Sequence, residues 1–278
     1  MSSSLTLRLR SDAGGLPVDA ASLSPDRIAG LPRSEVERLP LLAGSRRVAL
    51  GELFEVEGET RGEATDEIVV EGDLRSSARI GAGMSRGRLT VRGPAGARAG
   101  SGMSGGTLVI DGSAGPYAGE GMTGGLLRIR GGAGDHLAAP LPGARRGMNR
   151  GAILVEGNAG EMAAFRMRRG TIVIGGEAGP GAACAMLAGT LVVLGRLGAG
   201  AGALMRRGTI VALGPAEPLP VFLDAGRQAY PFLNIFYDAI EAAGIRLPAA
   251  ARRGLYRRRV GDISDLGKGE ILTLEGTA

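Results

Sequence analysis

One cysteine, one histidine, one lysine, no tryptophan and nine other aromatic residues are all that 278 residues contain of those types. Each scarcity removes a class of function. The single Cys184 excludes an internal disulfide and any multi-cysteine metal or iron–sulfur site, and a reducing cytoplasm is the compartment it fits. The single His136 excludes a three-histidine zinc centre of the carbonic anhydrase kind. Few aromatics and scattered arginines give nucleic acid little to stack on, so no nucleic-acid partner is expected. No run of eighteen apolar residues occurs, and the start, MSSSLTLRLRSD, lacks the apolar core of a secretion signal, so no membrane association is expected.

What is present is glycine and arginine. Apolar residues make up 44% of the chain, enough for a core. Arginine supplies 32 of the 33 basic residues, the exception being Lys268, and the Ala and Gly richness beside it reads as the coding bias of a GC-rich genome. Charge is unevenly placed: residues 52–73 hold nine acids and residues 246–259 six arginines. Such blocks suit solvated faces, charged neighbouring subunits or an anionic ligand.

The fifty glycines are ordered. Met84, Met103, Met122, Met148, Met167, Met186 and Met205 are spaced 19, 19, 26, 19, 19 and 19 residues apart. Gly87, Gly106, Gly125, Gly151, Gly170, Gly189 and Gly208 keep the same steps, and two further glycine columns follow them. A 19-residue unit is too short for a pair of helices, and its centre is a β-branched run such as Thr171-Ile172-Val173-Ile174. The period predicts an all-β fold, a parallel β-helix (solenoid) of about seven 19-residue coils over residues 66–214, with GXGXG-like repeats. The Gly87-to-Gly208 column is read as corners, where a side chain would force φ > 0 or collide with the next coil. The methionines are read as an internal apolar stack. Ile68 to Gly72 resembles Leu89 to Gly93 at an offset of 21, which suggests one more coil. Solenoid ends require caps. Residues 1–65 are expected to form one, with a strand near Leu5 to Arg10 and a short helix near Ser34 to Leu39. Residues 215–278 form the other, with a helix over 231–243 between Pro231 and Gly244.

The 26-residue spacing carries seven extra residues within GDHLAAPLPGARRG, 134–147. Insertions in solenoids map to loops on one face, often the binding face. Asp135, His136, Arg145, Arg146 and the nearby Arg150 are the candidate binding residues; no catalytic or metal-ligating residue is assigned. Two G-x-G-x-x-G matches, Gly100 to Gly105 and Gly119 to Gly124, precede strands and recur with the coil period, so neither is a dinucleotide fingerprint. No P-loop surrounds Lys268, and the coils lack the aspartate of calcium-binding β-rolls. A hexapeptide-type acyltransferase using His136 as general base is the enzymatic alternative, but its eighteen-residue coil does not match.

The tandem G-x-x-G-x-x-x-G coils resemble the right-handed β-helix of the glutamate synthase large subunit. More closely, Ala139 to Gly160 (APLPGARRGMNRGAILVEGNAG) and Arg257 to Leu272 (RRRVGDISDLGKGEIL) are similar to the C-type subunit of the formylmethanofuran dehydrogenase family. The resemblance covers nearly the whole chain and implies a right-handed β-helix that binds no cofactor itself. It implies a scaffold in a cytoplasmic formyltransferase/hydrolase complex of one-carbon oxidation. There a formyl group passes from tetrahydromethanopterin to a methanofuran-like carrier and is released as formate. The implied sister subunits are an amidohydrolase-like one with metal, a formyltransferase and a dehydrogenase-derived one. The corresponding subunit of a tungsten or molybdenum formylmethanofuran dehydrogenase is the alternative within the family. The carrier's polyglutamate tail makes Arg145, Arg146 and Arg150, or the arginines of 252–259, candidates to hold it, salt bridges to partner subunits being the other reading.

Overall fold

A computed structural model describes residues 4–11, 15–59 and 67–275. Parts of the two expected caps (residues 1–3, 12–14, 60–65 and 276–278) lie outside the described residues, as does residue 66 of the expected coils. The chain is mostly β, with few helices, and its strands form large sheets dominated by parallel pairs. It divides into two compact units, residues 1–134 with 150–153, and residues 135–149 with 154–278.

In the first unit, strands Ser4–Leu9, Glu67–Glu71, Arg88–Arg92, Ser104–Ile110 and Thr123–Ile129 lie side by side in parallel. Phe54–Gly58 pairs antiparallel with Ser4–Leu9 at the edge. The register aligns Leu5, Ile68, Leu89, Leu108 and Leu127 in one buried column. Ile68 pairs with Leu89 at the offset of 21 that their sequence similarity predicts. A second sheet orders Arg46–Ala49, Pro40–Ala43, Val18–Asp19, Leu74–Ala78 and Ala95–Ala97, and Ala95, Ala114 and Ala133 continue it as single bridges. Short helices at Pro25–Ile28, Arg33–Glu37 and Leu50–Leu53 complete the unit.

In the second unit, Thr171–Ile174, Thr190–Val193 and Arg207–Ala212 pair in parallel at steps of nineteen, aligning Ile172, Leu191 and Ile210. Lys268–Leu274 then joins Arg207–Ala212 in parallel, with Ile210 opposite Ile271. Tyr256–Gly261 and Leu223–Gln228 follow antiparallel. Ala159, Ala178, Leu197 and Ala216 form a second line of parallel bridges, again nineteen apart. Helix Leu233–Ala242 buries Leu233, Tyr237 and Ile240. Those side chains share a core with Val173, Val192 and Val211, so the helix covers a sheet face across three strands. Because alternate strand residues face opposite sides, Ile172, Leu191 and Ile210 lie on the other face, also buried.

All seven periodic methionines are fully buried. All seven glycines of the Gly87-to-Gly208 column have φ between +69° and +114°. The two columns meet: a Cβ on Gly189 would lie 2.6 Å from Met167 Cε, and one on Gly106 2.7 Å from Met84 Cε. At these glycines the lack of a side chain leaves room for the methionine methyl of the preceding repeat.

Candidate functional site

The interruption is closed at its base by one hydrogen bond. Elsewhere methionine N–H groups donate to the carbonyl three residues back, as Met167 does to Ala164 and Met205 to Gly202. Met148 N donates instead to Ala138 O, ten residues back, at 2.9 Å. The seven extra residues are therefore an excursion between Ala139 and Gly147. Asp135 and His136 are not on it. Spacing alone places them in the inserted loop; the backbone register moves them onto the regular repeat.

His136 N donates to Glu161 O at 2.7 Å, the counterpart of Met162 N to Pro180 O and, in the first unit, Arg98 N to Pro116 O. Its φ of +62° matches Arg98 at +59° and Met162 at +56° in the same column. Asp135 Oδ1 accepts from Glu161 N at 2.9 Å. Asn158 Oδ1 accepts likewise from Glu177 N at 2.9 Å, and Ser113 Oγ from Gly132 N at 3.1 Å. A side-chain oxygen tying one repeat to the backbone of the next is a recurring device, which accounts for the acidic group beside His136. Asp135 is exposed and His136 half-buried.

Arg145 and Arg146 are exposed near the end of the excursion, in the second unit. Arg150 is exposed at the start of strand Arg150–Val155 and belongs to the first unit. None of the three side chains has an ion-pair or hydrogen-bond partner among the described residues, so their charge is available to a ligand or a neighbouring protein. The arginines of 252–259 differ. Arg252 pairs with Asp238 and Glu241 at 2.8 and 2.7 Å. Arg257 pairs with Glu275 and Asp224, both at 2.9 Å, and Arg258 with Glu270 at 2.8 Å. Most of that block is neutralised within its own unit. Within the first unit, several acids of 52–73 are likewise engaged by arginines: Glu57 and Glu71 by Arg8, Glu71 also by Arg92, and Glu67 by Arg88.

Among the described residues, no group of three or more His, Cys, Asp and Glu side chains is placed to hold a metal ion. Burial pushes the Cys184 thiol up from its ordinary value, against the opposing pull of Arg166, so it is held as a thiol rather than a reactive thiolate. No helix among the described residues is long and apolar enough to cross a membrane. Leu204, Ile263 and Leu266 are about half exposed, and periodicity does not single them out as surface residues. A signal exists for one of them: Leu204 is the large apolar member of a column that reads Gly83, Gly102, Gly121, Gly147, Arg166 and Ala185 before it.

No family model matches the chain. A segment of 79 residues is 37% identical to the C-type subunit of the tungsten-containing formylmethanofuran dehydrogenase 2 of Methanothermobacter thermautotrophicus, covering 28% of this chain and 29% of that one. A segment of 93 residues is 39% identical to the C-type subunit of the formyltransferase/hydrolase complex Fhc of Methylorubrum extorquens, covering 33% of this chain and 32% of that one. These matches span about a third of the curated relatives' length. A far longer one comes from the crystal structure of the formyltransferase/hydrolase complex (FhcABCD) of Methylorubrum extorquens with methylofuran. One of its chains superposes with a TM-score of 0.86 at 39% identity, over 96% of this chain and 98% of that one.

Proposed function

The chain belongs to the family of C-type subunits found in the formyltransferase/hydrolase complex and the formylmethanofuran dehydrogenases, and on that premise we propose that it is a non-catalytic scaffold of a formyltransferase/hydrolase complex. The observation that carries this reading is the end-to-end similarity, at 39% identity, to a chain of that complex. In this reading the complex moves a formyl group from tetrahydromethanopterin to a methanofuran-like carrier and hydrolyses it to formate in the cytoplasm. Metal and chemistry belong to an amidohydrolase-like sister subunit and a formyltransferase, beside a dehydrogenase-derived subunit.

The proposed architecture is a right-handed parallel β-helix of 19-residue coils, capped by residues 1–65 and 215–278. Two parallel ladders advancing by the same nineteen residues support it, as does the right-handed rule for crossovers between parallel strands. The Gly87-to-Gly208 column forms its corners, and its positive φ angles support that assignment. Arg145 and Arg146 in the second unit, and Arg150 in the first, are each proposed as contacts for the carrier's anionic tail or for a sister subunit, since none has a charge partner among the described residues. Asp135 and His136 act only as neighbours of such a contact, because coil geometry already explains their backbone and the aspartate's bond.

The test is native affinity purification of the chain from its host, with mass spectrometry of partners and elemental analysis. A co-purifying formyltransferase and amidohydrolase-like subunit without tungsten, molybdenum or iron is the expected result. Tungsten or molybdenum with iron moves the assignment to the dehydrogenase branch. A chain recovered alone overturns the scaffold reading.

A further inference from the structure

The second unit carries an exposed apolar cluster beside two like charges that no described residue offsets. Leu204 N donates to Asp262 Oδ2 at 2.9 Å, and Arg206 Nε pairs with Asp265 Oδ2 at 2.8 Å. These bonds fix the Leu204 turn against the turn Asp262 to Gly267, itself closed by Gly267 N donating to Asp262 O at 2.9 Å. Asp262 is 3% exposed and serves as the anchor, accepting also from Ser264. Around this rigid base Leu204, Ile263 and Leu266 are 55%, 54% and 49% exposed. Leu204 also holds φ +59°, in a column where Gly83, Gly102, Gly121 and Gly147 are followed by Arg166 and Ala185, both at φ +51°. A leucine there loses the conformational ease of glycine and gains little burial in return.

Arg207 stands directly opposite Lys268 in the parallel register of Arg207–Ala212 and Lys268–Leu274. Like charges at paired positions repel. Both residues are exposed, and neither has an ion-pair partner among the described residues. An apolar centre with an unneutralised cationic border is complementary to an apolar recess bordered by carboxylates.

We propose that Leu204, Ile263 and Leu266, with Arg207 and Lys268, form the docking surface for a sister subunit that presents such a carboxylate-bordered apolar recess. This rests on the scaffold reading above. The leucine and isoleucine side chains are the anchors, and the two cations supply orientation and salt sensitivity.

The test compares three forms of the full chain in its own host: wild type, L204S/I263S/L266S and R207E/K268E. All five side chains are exposed, so both variants should melt as wild type does. The expected result is that wild type recovers its sister subunits while the serine variant loses at least one of them by about tenfold or more. Charge reversal should lower the same recovery, most strongly at low salt. If wild type recovers sister subunits and both variants recover them equally, the docking surface is refuted while the scaffold reading stands. If wild type recovers none, the scaffold reading fails first. If the serine variant instead converts a self-associated chain to monomer, the face is a contact between copies and the proposal is overturned.

Discussion

Gly208→Ala isolates the reason for the glycine columns. Two costs apply at this position. Gly208 has φ +107°, well outside the left-handed well that L residues visit, which is worth about 1–2 kcal/mol. An added Cβ would also stand 2.7 Å from Gly189 O, a main-chain atom of the preceding repeat that cannot rotate away. Overpacking of this kind costs about 1–3 kcal/mol, so the whole penalty is about 3 kcal/mol. The control is Gly200→Ala in the same unit. Gly200 has φ +72°, the nearest atom to a Cβ there is Gly181 N at 3.9 Å, and Met162 and His136 occupy the same column at +56° and +62°. Only backbone strain remains there, about 1 kcal/mol. Thermal unfolding reads the difference. At about 2 °C per kcal/mol for a chain of this size, Gly208→Ala should lose about 6 °C and Gly200→Ala about 2 °C. Equal losses would mean that the close approach of neighbouring repeats contributes nothing, and the glycines would not be serving as corners.

Met186→Ala empties a fully buried position and should cost about 2–5 kcal/mol, whereas Met186→Leu should cost less than about 1.5 kcal/mol, both measured by denaturant unfolding. Tyr256 donates to Ala251 O at 2.5 Å and accepts from Tyr237, the two hydroxyls being 2.6 Å apart. Tyr256→Phe strands both neighbours and should be the more damaging, by about 1–3 kcal/mol, while Tyr237→Phe leaves Tyr256 satisfied. Burial raises the pKa of both phenols, so the unfolded chain loses these protons first and stability should fall as pH rises above about 10. A Y237F/Y256F chain should lose less of its stability over that alkaline range, and an unchanged slope would refute the assignment. Asp135→Ala removes one bond to Glu161 N and should cost about 0.5–1.5 kcal/mol in thermal unfolding. His136→Ala should leave assembly and turnover of the complex near wild type, and a large loss of turnover would revive the acyltransferase reading.

The repeat is legible in the sequence because stacking makes the same demand of every coil. One buried slot is filled by something long and pliable, Met84 to Met205, and the position three residues on takes a positive φ that glycine adopts without strain. Local chemistry also announces the helix near its observed span, Leu233–Ala242, since Pro231 and Gly244 bracket it. The strands at either end are not legible as members of the stack. Leu5 joins Ile68 at an offset of 63, and Ile210 joins Ile271 at an offset of 61, so no period links them to the coils. Periodicity also brackets the candidate loop only loosely, within 134–147. A spacing of 26 shows that seven residues are extra, but only the bond from Met148 N to Ala138 O shows where they leave the coil.

That bond changes which side chains carry functional weight. Without it, the only histidine and its aspartate neighbour stand out because they share a stretch with an insertion. With the register known, Asp135 resembles Asn158 and Ser113, groups that tie one repeat to the next. Functional weight shifts to residues the coil cannot explain. Arg145 and Arg146 are exposed on the excursion, and Leu204 is an exposed large apolar residue where the two preceding repeats have Arg166 and Ala185. In a chain of stacked repeats every position has a column, and the column states what the repeat requires there. A residue that departs from its column without repacking the core is where selection for a partner leaves a trace that physics can read. Leu204 puts an exposed apolar side chain in a column that Arg166 and Ala185 already hold at positive φ, next to Arg207 and Lys268, which have no ion-pair partner among the described residues. The arginines rank in the same way. Arg257 and Arg258 are spent on Glu275, Asp224 and Glu270, so reversing them should first loosen the C-terminal sheet. Reversing Arg207 and Lys268 should leave the fold intact and act only on what the chain binds.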